Sequence, residues 1–125
     1  LFPQMKFDSD TERRFAVILE DSPAVSRWFK PSTKDISIYY SDGREYEPDF
    51  IVETPTCKLL VETKAGKDVD SAQVQAKAQA AIRWCEYASE HAVKNGGVPW
   101  KYLLIPDTAV LSNATLEGLV AKFAK

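Results

Sequence analysis

The chain has little of what builds a metal centre from soft ligands. Of its 125 residues, two are cysteine and one is histidine. Cys57 and Cys85 stand far apart without metal-ligand spacing, so two reduced thiols are expected rather than a zinc site or a disulfide. His91 stands alone near a helix end and is expected to be exposed. Long hydrophobic runs are also missing. Nothing approaches the length of a transmembrane span, so no membrane partner is expected. An excess of positive charge is missing too. The net charge is −2, whereas a dedicated DNA-binding module is usually basic. Gly66-Lys67 lacks the upstream glycine of a phosphate-binding loop, so no nucleotide site is implied. Asn113-Ala114-Thr115 fits a glycosylation sequon, but nothing indicates secretion.

What is present is ordinary in bulk and specific in pattern. Hydrophobic residues make up 45% and charged residues 27%, which fits one compact domain with a real core. Because the chain starts at Leu1 rather than Met, it is expected to be a fragment of a larger protein. Asp8 to Glu12 offers capping residues and first-turn acids, and Phe15, Ala16 and Leu19 follow at helical spacing. This predicts a helix over about Asp10 to Glu20. Val25, Trp28 and Phe29 form a short apolar anchor. Strands are expected at Ile36–Tyr40, Tyr46–Val52 and Lys58–Lys64, joined by an Asp42-Gly43 turn and a Thr54-Pro55-Thr56 turn. They suggest a three-stranded antiparallel meander. A long helix over about Ser71 to Ala92 carries the stripe Val74, Ala78, Ala81, Cys85, Ala88, Ala92. Asn95-Gly96-Gly97 stops it. Tyr102–Ile105 is a fourth strand, expected to join the sheet in parallel after the helical crossover. Leu116, Leu119, Val120 and Phe123 mark a last helix. The expected class is α/β, a sandwich around a mixed sheet of about four strands, in the order αβββαβα. Trp28, Trp84 and Trp100 are expected in the core.

The most informative feature is Pro48-Asp49, then twelve residues, then Glu62-Thr63-Lys64. In a strand, residues two apart point to the same side, so Glu62 and Lys64 share a face ~7 Å apart at the Cα level. If Asp49 sits beside them on the neighbouring strand, two carboxylates and an amine converge. Hard divalent cations want such oxygen ligands, and the set suits metal-assisted hydrolysis of a phosphodiester. The bland alternative is a solvated sheet face with an incidental Glu/Lys pair. Against it, Phe50-Ile51-Val52 and Leu59-Leu60-Val61 are continuous apolar runs, as in strands buried on both faces. Charges emerging from such strands are costly without partners.

These residues resemble the active-site signature of the PD-(D/E)xK nuclease superfamily. The wider pattern resembles the C-terminal endonuclease domain of the helicase-nuclease subunit of type III restriction enzymes. It comprises Thr11-Glu12-Arg13-Arg14-Phe15-Ala16, Pro48 to Val52, Val61 to Lys64, Val74…Lys77-Ala78…Trp84-Cys85 and Trp100 to Pro106. The resemblance implies a three-layer restriction-endonuclease-like sandwich and a Mg²⁺-dependent DNA endonuclease in which Mn²⁺ substitutes. Asp49, Glu62 and the Thr63 carbonyl would hold the cation, with Glu12 from the first helix. Lys64 would position the attacking water. Lys77 and Gln73, four apart on the long helix, would face a phosphate; the bland alternative for both is a solvated helix flank. Implied partners are double-stranded DNA, helicase/translocase domains of the same subunit and a modification methyltransferase subunit. ATP would act only through a motor domain outside this chain, and the setting would be bacterial cytoplasm. Two other readings stand beside this one: a non-catalytic interaction domain on the same fold, and a nicking or junction-resolving nuclease.

With so few excess basic residues the domain neutralises few phosphates. A titration of the isolated domain against duplex DNA should show weak binding with a shallow salt dependence at physiological ionic strength. Nanomolar, sequence-specific binding would overturn that expectation.

Overall fold

The computed structural model describes residues 9–32, 34–41 and 43–125. Ser9 opens the first helix, α1 (Asp10–Glu20), by accepting the Glu12 amide on its hydroxyl at 3.2 Å. Asp10 and Glu12 lie in the first turn, where negative charge complements the helix N-terminus. Phe15, Ala16, Ile18 and Leu19 are buried along one side. The bounds match the expected helix.

Among the described residues six strands follow: β1 (Arg27–Phe29), β2 (Ile38–Ser41), β3 (Arg44–Tyr46), β4 (Phe50–Glu53), β5 (Lys58–Lys64) and β6 (Trp100–Pro106). Between β5 and β6 runs α2 (Ala72–Lys94), and α3 (Leu116–Phe123) closes the chain. The central sheet has the order β1-β4-β5-β6. β1 and β5 both pair antiparallel with β4, and β6 pairs parallel with β5. The long crossover therefore produces the expected parallel pair in a mixed four-stranded sheet.

The three-stranded meander does not form. β2 and β3 make a separate hairpin, and Glu47-Pro48-Asp49 breaks the strand expected over Tyr46–Val52. Proline has no N–H to give a ladder, so a strand interior at Pro48 is disfavoured. The place beside β4 is taken by β1, which pairs Trp28 with Val52 and Phe29 with Ile51. Three residues are too few to show a period, so only an apolar anchor was legible there. Gly43 turns the hairpin at φ +79°; Asp42 of that turn lies outside the described residues.

The sheet carries a layer on each face. On one side α1 and α3 pack on Phe50, Val52, Leu59, Val61, Leu103 and Ile105. On the other, Ala78, Ala81 and Cys85 of α2, with Ile38 of the hairpin, pack on Ile51, Leu60 and Tyr102. The alanine stripe lets α2 lie close to the sheet, and Ala81 is fully buried. Gly96, at φ +79°, ends α2. The Ser89 hydroxyl accepts the Trp100 amide at 2.8 Å and donates to the Trp100 carbonyl at 3.1 Å, pinning the start of β6 to the same helix.

Because the contact between α2 and the sheet leaves no room, Ala81→Leu should lower the unfolding free energy by about 1–3 kcal/mol through overpacking. Glu86→Ala, on the exposed side of α2, should stay within about 0.5 kcal/mol. Urea denaturation of the two variants checks the contrast.

Candidate active site

Pairing of β4 with β5 sets Phe50 opposite Val61 and Ile51 opposite Leu60. Carried one step further, that register sets Asp49 opposite Glu62. Ile51 and Leu60 face α2, so Asp49, Glu62 and Lys64, each an even number of residues away, face the same side. The sheet thus brings the two acids and the lysine together at one end. The Thr63 amide donates to Asp49 Oδ2 at 2.9 Å. In an extended strand the N–H and C=O of one residue point toward the same neighbour, so the Thr63 carbonyl is also directed to the Asp49 side.

Burial dominates the electrostatics. Glu62 is 3% exposed. Its carboxyl is pushed up to about 7, first by burial and then by the charge of Asp49; Tyr102, Lys64 and Tyr46 pull the other way. Asp49 is also raised by burial, against the bond from the Thr63 amide, and Glu12 adds repulsion that Lys64 and Lys30 counter. The pair is held together against its own repulsion.

Two tyrosines that the sequence reading did not single out support Glu62. Tyr102 sits beside Leu60 in the parallel register of β5 and β6, and its hydroxyl donates to Glu62 Oε2 at 3.0 Å. The Tyr46 hydroxyl donates to the Lys77 carbonyl at 3.1 Å and stands near enough to Glu62 to help pull that carboxyl down. Burial, then the Glu62 charge, raises the Tyr102 hydroxyl far above its ordinary value, and the same causes act on Tyr46. Both remain protonated donors. Their strand parity was legible in the sequence, but a tyrosine on a core-facing position ordinarily reads as packing.

The remaining predicted residues fall around this centre. Glu12 is 5% exposed and forms an ion pair with Lys30, a residue without any sequence signal. Lys77 is half-buried, with its ammonium 5.2 Å from the Tyr40 ring centroid and 5.3 Å from that of Tyr46. Gln73 is exposed, and its side chain beside Tyr40 holds that hydroxyl below its ordinary range. Among the described residues, no three Asp, Glu, His or Cys side chains form a metal-binding group. The donor set is therefore two facing carboxylates with a strand carbonyl beside them. Hard oxygen donors that still repel each other fit a divalent cation of the Mg²⁺ or Ca²⁺ type.

A three-layer α/β sandwich with Asp49 opposite Glu-x-Lys at the sheet end defines a restriction-endonuclease-like domain of the PD-(D/E)xK kind. A family model described as "Endonuclease domain" matches residues 1–101, and the chain belongs to that family. Nothing matches the chain among curated proteins or among solved structures. The matched span includes Glu12, Asp49, Glu62, Thr63, Lys64, Gln73 and Lys77, while Tyr102 lies just beyond it. Among the described residues, no helix is long and apolar enough to cross a membrane.

The raised Glu62 pKa fixes a sign. Between 4.5, the ordinary glutamate value, and about 7 the folded chain holds a proton that the unfolded chain has lost. Stability of the chelator-treated protein should therefore fall as pH rises from about 5 to about 8. Glu62→Gln should flatten that slope. Chemical denaturation across this range checks it; an unchanged slope in the variant would assign the dependence elsewhere.

Proposed function

We propose that this endonuclease domain is a Mg²⁺-dependent DNA endonuclease, with Mn²⁺ able to substitute, and works as the nuclease module of a type III-like restriction enzyme. One observation carries the reading: buried Glu62 and half-buried Asp49 face each other at the end of β4 and β5, with Lys64 on the same face. Asp49, Glu62 and the Thr63 carbonyl would hold the cation. Bound there, a divalent cation supplies Lewis acidity, which lowers the pKa of water and offsets charge at the phosphate.

The chain's own residues do the rest. Tyr102 fixes the Glu62 carboxylate by donating to it, with Tyr46 close by. The Thr63 amide does the same for Asp49. Lys64 carries an ammonium close enough to both carboxylates to lower their pKa values. It would orient the attacking water and meet charge that develops on the phosphate oxygens, where preorganised charge acts most strongly. Lys77 and Gln73, on the first turns of α2 beside the β2–β3 hairpin, would contact the DNA backbone and set its position without reading sequence. In a type III-like enzyme the ATP-driven helicase/translocase domains would deliver the DNA, and the methyltransferase subunit would recognise the target.

Retention of Asp49, Glu62 and Lys64 in one cluster at the sheet end argues against a non-catalytic domain. A nicking or junction-resolving activity would use the same three side chains, so substrate form distinguishes it.

Plasmid cleavage at excess domain and millimolar Mg²⁺ tests the assignment. Lys64→Ala and Asp49→Asn should each lower the rate on the order of a hundredfold or more, with circular dichroism unchanged. Cleavage at the unsubstituted rate by a folded Lys64→Ala variant would remove that lysine from the mechanism. Linear product from supercoiled plasmid supports double-strand cleavage, whereas accumulation of nicked circles favours the nicking alternative.

A further inference from the structure

We propose that Lys30 is a built-in counter-cation for Glu12, so that this carboxylate holds an ammonium instead of a metal ion and the protein takes up a single divalent cation, at Asp49 and Glu62. The inference rests on the cation-dependent reading above and fixes its stoichiometry.

The placement comes from the backbone. β1 pairs Phe29 with Ile51, so the same register sets Lys30 opposite Phe50, next to Asp49. Phe50 faces α1, and Lys30 follows it to that face, with its ammonium 5.3 Å from the Phe50 ring centroid. There it pairs with Glu12 of α1. The Glu12 and Lys30 side chains are 6% and 20% exposed, so the pair is poorly screened by water. Glu62 and Lys64, by contrast, face α2 on the other side of the same sheet end. Glu12 and Glu62 therefore lie on opposite faces, and Asp49 between them feels the charge of Glu12, Lys30 and Lys64. This geometry explains why Glu12 does not complete a three-carboxylate group.

Charge counting points the same way. Glu12, Asp49 and Glu62 with Lys30 and Lys64 leave one net negative charge when all are ionised. A single divalent cation and one phosphodiester anion bring the cluster to neutrality. A second divalent cation would leave a large positive excess beside two ammonium groups. Lys30 thus occupies the electrostatic place of a second cation. Removing one member of a buried pair leaves the other uncompensated, which is costly until a new counter-ion arrives.

Isothermal titration with Mn²⁺, on the chelator-treated chain without DNA, tests this. The unsubstituted chain should bind one Mn²⁺, and Asp49→Asn should abolish that binding. Lys30→Met should expose Glu12 and yield either a second Mn²⁺ or an affinity gain of about tenfold. The double variant Glu12→Gln/Lys30→Met exchanges a neutral pair for a neutral pair, so it should return to one Mn²⁺ with affinity within about threefold of the parent. If Lys30→Met does not fold, the double variant decides the matter. Two Mn²⁺ in the unsubstituted chain would overturn the inference alone. So would a folded Lys30→Met chain with unchanged binding, or a loss of about tenfold or more in the double variant. Absence of Mn²⁺ binding in the unsubstituted chain, or equal binding after Asp49→Asn, would overturn the cation reading and this inference with it.

Discussion

Two like charges held together where little water reaches them are the constraint on which the rest of this domain depends. Asp49 and Glu62 would separate if the backbone let them. They stay because the β4–β5 ladder fixes their positions and both apolar faces of those strands are buried. Every polar neighbour then reads as a response. The Thr63 amide and the Tyr102 hydroxyl donate to the two carboxylates, and Lys64 offers positive charge on their face. Burial makes each of these interactions stronger than it would be in water. It also leaves the cluster with an appetite for positive charge, which a hard cation satisfies.

The division of labour between layers follows from strand parity. One face of the sheet end carries Asp49, Glu62 and Lys64, and the other carries Phe50 with the Glu12–Lys30 pair. α1 and β1 are thereby tied into the electrostatics of the centre. The β2–β3 hairpin enters from the α2 side through Tyr46, whose hydroxyl reaches both the α2 backbone and Glu62. The two tyrosine rings of that hairpin also hold the Lys77 ammonium. A side chain expected to meet phosphate is thus held in place by aromatic faces.

How much of this could be read from the sequence depended on periodicity. α1, α2 and β5 have strong patterns, and their positions follow from capping residues, the alanine stripe and the apolar run. The facing of Asp49 and Glu62 followed from a hairpin whose turn was visible in Thr54-Pro55-Thr56. What was hidden was short or long-range. β1 has three residues and no period, so its insertion beside β4 was not legible, and the meander was drawn with the wrong neighbour. Lys30 gains its meaning only from that pairing. Tyr46 and Tyr102 converge on Glu62 from segments 56 residues apart in the chain. No local pattern records such a meeting.

The parallel pairing of β5 with β6 has a consequence for how the chain folds. The β4–β5 hairpin closes a short loop, whereas β6 can join only after α2 has spanned the intervening segment. Loop-closure entropy favours the local pairing first. The two carboxylates therefore meet early, before Tyr102 arrives to donate to Glu62. The Thr63 amide and Lys64 come with the hairpin itself, so what β6 adds on arrival is the one hydroxyl that donates to Glu62 and the wall that buries it.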